Sequence, residues 1–254
     1  MFVVTIVALI FSTFTLSNGL LLDCTYSVRS HWTVINTYQC TGRIVFIGDP
    51  RNVSNVSHNH IGERNNSDVL GIFIDSQILG FLPRNIDEFF PNLESLAFRS
   101  TAIESLHPSE LRVFPNLMQI DFFFNAISQL DFHFFQDNLK LRAISFSSNP
   151  LNHVGHGVFD VLDELTSLNT QGTCNSLNVN SNRQLVVNGI FNFARLCPPT
   201  FQMMETELLT GRNFERTVDQ QIADRMNPLT MQVFQLRQEL IELENRIAEL
   251  EERN

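Results

Sequence analysis

Four cysteines, seven histidines and three N-x-S sequons are the side chains in this 254-residue chain whose type and spacing suggest chemistry. The pair in His58-Asn59-His60 invites a metal or nuclease reading, but it lies in a polar, aperiodic stretch without the convergent carboxylates that a metal site needs. His153 and His156 flank a glycine on what the pattern makes a convex surface, again without further ligands. Neither a G-x-S-x-G turn, a P-loop nor a cysteine–histidine nucleophile pair occurs, and the acidic residues are dispersed. The sequence therefore predicts no catalytic residues, no metal and no cofactor. The cysteines stand as Cys24 and Cys40 near one end and Cys174 and Cys197 towards the other, with no C-x-x-C spacing. That usage fits disulfides in an oxidising compartment. The sequons, at Asn52, Asn55 and Asn65, crowd one polar segment and offer glycan acceptors if the chain is secreted.

These groups frame a periodic interior. Val69, Leu93, Leu117, Leu141 and Leu165 recur every 24 residues, and each is followed by an apolar residue three positions on. Five positions on come Ile74, Phe98, Phe122, Phe146 and Thr170, so only the last repeat loses its third apolar residue. The ninth position is polar throughout: Gln77, Thr101, Asn125, Asn149 and Thr173. Such side chains can hydrogen-bond backbone groups where the chain leaves a buried strand. The pattern is that of a leucine-rich repeat in a 24-residue form, with Phe often replacing Leu. It predicts an α/β solenoid, a horseshoe of about five repeats, over 69–173.

Four cysteines permit three pairings. A solenoid holds its two ends far apart, which favours the local pairs Cys24–Cys40 and Cys174–Cys197, each closing a cap over the exposed core. The caps are expected over 20–68, with the glycosylated segment, and 174–199. Residues 1–19 are apolar and uncharged, with Ser17 and Gly19 placed as small residues before a cleavage point, so they read as a signal peptide. Leu20 to Leu22 extend the apolar run, which leaves a signal anchor as the alternative. No other segment approaches the ~20 apolar residues of a membrane span.

Residues 24–197 resemble secreted leucine-rich-repeat proteins of dipteran insects. The resemblance is carried by Cys24-Thr-Tyr26, Trp32 and Tyr38-Gln-Cys40, by Ser67-Asp68-Val69 and Leu82-Pro83-Arg84, by Phe-Pro-Asn-Leu at 90–93 and 114–117, and by Thr173-Cys174 with a distant Cys197. In style the chain is similar to the mosquito leucine-rich immune proteins, which join such repeats to C-terminal coiled coils. The resemblance implies an extracellular, disulfide-capped, non-enzymatic horseshoe and a role in innate defence. The chain departs from that group in its few repeats, its short coil and its lack of a spare cysteine for an interchain disulfide.

With positions 4 and 6 of each repeat directed into the core, strand alternation puts positions 3, 5 and 7 on the concave face and position 8 at its edge. Phe73, Arg99, Gln119, Asp121, Phe123 and Phe124 then form an aromatic patch beside paired charges, the composition of a binding hot spot. The chain's own C-terminal helix is the other occupant that such a patch suggests.

That helix belongs to 200–254. Val233, Leu236, Leu240, Leu243, Ile247 and Leu250 alternate spacings of three and four, a heptad seam whose mostly β-branched a positions and leucine d positions favour two parallel strands. Self-association, pairing with a related leucine-rich-repeat chain and docking back on the horseshoe are all compatible with it. The formal net charge of −10 makes nucleic acid and anionic membranes poor partners. The function expected is a secreted protein-binding module, with a matrix or adhesion scaffold as the alternative.

Overall fold

A computed structural model describes residues 19–31, 34–46, 51–57, 59–210 and, further on, 236, 239, 240, 243 and 246. The chain divides into two compact units, Met1–Thr200 and Phe201–Asn254. Residues 1–18 of the expected signal peptide, His58, and the seam residues Val233, Ile247 and Leu250 lie outside the described residues.

The first unit is built on a nine-stranded sheet. A hairpin of β1 (Leu20–His31) and β2 (Val34–Phe46) opens it, and β3 (Val53–Val56) runs parallel to β1 at the sheet's edge. Five parallel strands follow from β2: β4 (Gly71–Asp75), β5 (Ser95–Arg99), β6 (Gln119–Asp121), β8 (Ala143–Ser145) and β10 (Ser167–Asn169). β11 (Asn178–Val179) closes the far end antiparallel to β10. Two further strands, β7 (Gln129–Leu130) and β9 (His153–Val154), pair with each other alone. Short helices α1 (Ile86–Phe89) and α2 (Pro108–Arg112) lie in the returning segments of early turns, and α3 (Arg183–Ile190) and α4 (Phe193–Leu196) follow β11. The second unit begins with α5 (Phe201–Thr210).

The 24-residue period sets the register. Ile72, Leu96, Ile120, Ile144 and Leu168 are successive Cα partners across the sheet. All five are at most 1% exposed, as are Val69, Leu93, Leu117, Leu141 and Leu165. Aromatic side chains fill the later turns: Phe122 stacks on Phe146 at 5.8 Å, Phe146 touches Phe135, and Phe135 leads through Phe159 to Phe193 of α4. The core thus continues from the sheet into the C-terminal cap.

The ninth position acts as a staple. Asn125 Oδ1 accepts from Thr101 N, Thr101 Oγ1 and Ile103 N of the preceding turn, while its Nδ2 donates to Phe98 O and Phe122 O. Asn149 repeats the pattern on Ile127 N, Phe122 O and Phe146 O. Gln77 reaches back to Ile44 N and Ile44 O, tying the first turn to the hairpin. Asn138, 1% exposed, does a similar job in the returning segment by donating to Leu111 O and Phe114 O.

Disulfides join Cys24 to Cys40 across the hairpin and Cys174 to Cys197 across the far end, with Cα separations of 5.1 and 5.5 Å. Cys197 O also accepts from Val154 N, so the second bridge fastens the helical cap to the last turn. Leu20 and Leu22 are fully buried in β1. Their apolar character is therefore explained by the sheet core. The segment carrying the sequons, expected to be irregular, instead contributes β3, because Val53 and Val56 bury against the hairpin. Among the described residues no helix is long and apolar enough to cross a membrane.

Candidate functional site on the concave face

Three of the predicted surface residues meet. The Arg99 guanidinium lies 4.9 Å from the centroid of the Phe123 ring, and Arg99 Nε is 3.6 Å from Asp121 Oδ2. Asp121 Oδ1 accepts from Phe123 N at 3.0 Å, which fixes the carboxylate against the strand end. At 3.6 Å the arginine–aspartate pair is an ion pair without a hydrogen bond. Arg99 Nε has no hydrogen-bond acceptor among the described residues. A polar groove of about 300 Å³ opens here, walled by Arg99, Asp121 and Phe123 on one side and by Ser145, Asn169, Asn178 and Asn180 on the other.

Phe124 stands beside this groove, its ring tilted at 6.0 Å from Phe123 and 61% of its surface exposed. Its backbone is left-handed, with φ of +54°. The same conformation occurs 24 residues apart along the solenoid, at Ser76, Ser100, Ser148 and Gly172. The eighth position must turn the chain off the strand while keeping its N–H in the ladder: Ser76, Ser100, Phe124 and Ser148 each donate to the seventh carbonyl of the next turn. Small residues meet that demand elsewhere. A bulky aromatic in this region is an outlier, and strain of this kind persists where the fold over-determines it.

The other predicted residues have different roles. Gln119 is 1% exposed and donates from Nε2 to Ser95 Oγ, and Asp121 is 7% exposed. Parallel strands lie ~4.8 Å apart, so side chains at the third and fifth positions of neighbouring turns screen one another, and Gln119 braces the surface from beneath. Phe73 is half-buried on β4, two strands from Asp121 and outside the groove lining. Asn178 and Asn180, which complete the groove, lay beyond the repeat pattern. Their spacing of two on an extended segment was the signal that would have paired them on one face.

Among the described residues, His60, His153 and His156 make packing and hydrogen-bond contacts. His60 stacks on Tyr26 at 4.0 Å, while its Nδ1 lies 3.1 Å from Tyr38 Oη and its Nε2 2.9 Å from Asn66 Oδ1. Burial, reinforced by neighbouring Tyr38 and opposed by the Ser57 side chain, pushes the Tyr26 phenol up to about 12. His153 Nδ1 is 2.8 Å from Pro198 O, and His156 stacks on Phe132. Gly155 between them lies so close to Phe132 that a Cβ would come within 2.4 Å of Phe132 N. Among the described residues no three His, Cys, Asp or Glu side chains converge as a metal site.

Of the sequons, Asn55 and Asn65 are exposed and Asn52 is half-buried. In the second unit Leu236, Leu240 and Leu243 are helical and more than half exposed.

A register of parallel strands at one fixed interval, stapled by polar ninth-position side chains, defines a leucine-rich-repeat-like solenoid closed by disulfides. No family profile and no curated protein matches the chain. Among solved structures, a chain from the Toll–Spatzle complex, described as a hub in Drosophila development and innate immunity, aligns with 22% identity and a TM-score of 0.39. That alignment covers 46% of this chain and 17% of the other. So partial a match adds nothing to the fold assignment, which rests on the register itself.

Proposed function

We propose that this chain is a secreted, non-enzymatic recognition module of five repeats that binds a protein partner through the groove of Arg99, Asp121 and Phe123 and its rim residue Phe124. The observation that carries the reading is Phe124, a large aromatic held exposed in a backbone conformation that its counterparts meet with serine or glycine. The Arg99 side chain, 34% exposed in the same groove, supplies a positive charge for the ligand. Aromatic and arginine side chains at the centre of a patch are the residues that dominate binding energies.

Secretion is supported by the two disulfides, and the burial of Leu20 and Leu22 in β1 supports a cleaved signal over 1–19 rather than an anchor that includes them. The heptad seam is the proposed assembly device, joining two copies or a related chain; exposed Leu236, Leu240 and Leu243 support it. Innate defence as the setting rests on the sequence resemblance alone. Partner capture on the immobilised full chain, repeated with Phe124→Ser, tests the reading. A loss of affinity of about ten-fold or more is expected, and unchanged affinity in a folded variant overturns it.

A further inference from the structure

Among the described residues the sheet ends at β3. In the strand order, β3 is the last strand beyond β1, and among the described residues no strand pairs with its outer side. An unpaired edge is a template for another chain's strand. The start of β3 is protected: Asn52 bridges Arg84, Val53 N donates to Arg84 O, and Arg84 N donates to Arg51 O. That protection stops before Asn55, which is exposed within the strand and belongs to the sequon Asn55-Val56-Ser57.

We infer that Asn55, and not Asn52, carries an N-linked glycan whose role is to cover this open edge against strand-to-strand association between copies. The modification forms a bond from Asn55 Nδ2 to the anomeric carbon of a lipid-linked oligosaccharide diphosphate. The anomeric C–O bond breaks, the lipid diphosphate leaves, and the amide gives up a proton. Asn55 Oδ1 accepts from Val56 N at 2.9 Å, a bond that the substituted amide keeps. Ser57 Oγ, the sequon hydroxyl, is held between Cys24 N and Cys24 O in the folded chain. Transfer therefore precedes docking of β3 on the hairpin. Asn52 is half-buried at the end that Arg84 closes, where a glycan would oppose the bridge. Asn65 is exposed but caps the helical turn Asn66–Asp68 and is not part of β3, so a glycan there is not expected to cover the edge.

The full chain, secreted from eukaryotic cells, supplies the test. Site-resolved mass spectrometry should find Asn55 modified and Asn52 bare. In an Asn65→Gln background, enzymatic removal of the glycan from already folded protein should raise the mass in light scattering above the untreated value, progressively with concentration. Secreted Asn55→Gln should do the same, whereas Asn65→Gln alone should not. A bare Asn55, a glycan on Asn52 in its place, or an unchanged mass after removal from the folded protein overturns the inference. The removal arm remains decisive if Asn55→Gln is not secreted, because it acts after folding.

Discussion

Arg99 lies over the ring of Phe123 while facing Asp121, so one cation bridges an aromatic surface and a carboxylate brought from the next strand. Neither neighbour satisfies its Nε with a hydrogen bond. An arginine so placed is held in position with 34% of its side chain exposed, so its charge lines the groove.

Phe124→Gly separates strain from function. Left-handed backbone costs a non-glycine residue roughly 1–2 kcal/mol, partly offset by the greater unfolded-state freedom of glycine. Unfolding in urea should show stability unchanged or raised by up to about 1 kcal/mol, while partner affinity falls. A clear loss of stability would mean that the ring packs as part of the fold.

Asn125→Ala removes the acceptor for Thr101 N and Ile103 N and the donor to two buried carbonyls. Leaving buried groups unpaired costs about 1–3 kcal/mol each. A loss of at least about 3 kcal/mol is expected, against less than 1 kcal/mol for an exposed substitution such as Ser128→Ala. Chemical denaturation of the two variants provides the comparison.

Replacing both Cys174 and Cys197 by serine opens a loop spanning 23 residues of sequence separation. Loop-closure entropy for that length corresponds to about 3 kcal/mol. The calorimetric transition should fall, with earlier proteolysis in 174–197, because Val154 N and the Phe159–Phe193 contact both depend on the cap. Equal protease resistance would show that packing alone holds it.

Tyr26 gives a pH signature. Its folded value of about 12 lies above the ordinary 10.0, so the folded state holds the phenol proton more tightly. The resulting stabilisation is fully present below pH 10 and is lost as pH rises towards about 12. Absorbance of the phenolate should show a late-titrating tyrosine that is absent in Tyr26→Phe; the lack of any late-titrating tyrosine in the unsubstituted protein would contradict it.

Legibility in the sequence followed the physics of each feature. The fixed interval from Val69 to Leu165 exposed the register because every turn buries the same positions. The ninth-position polar series showed the staples, and the cysteine spacing showed the caps. Gln119 was misplaced because alternation says which face a side chain takes, while screening by neighbouring strands decides whether solvent reaches it. β3 was missed because Val53 and Val56 are too few to mark a strand. The left-handed turn was written only in the series Ser76, Ser100, Ser148 and Gly172, where the absence of large side chains was the signal and Phe124 the exception.

The most direct test of the recognition reading is the affinity of the captured partner for the full chain carrying Phe123→Ser and Phe124→Ser, set beside Ile78→Ser, which removes another exposed apolar side chain away from the groove. The account predicts a loss of about ten-fold or more for the double variant and none for Ile78→Ser, with both proteins folded. Equal affinities for all three proteins would contradict it.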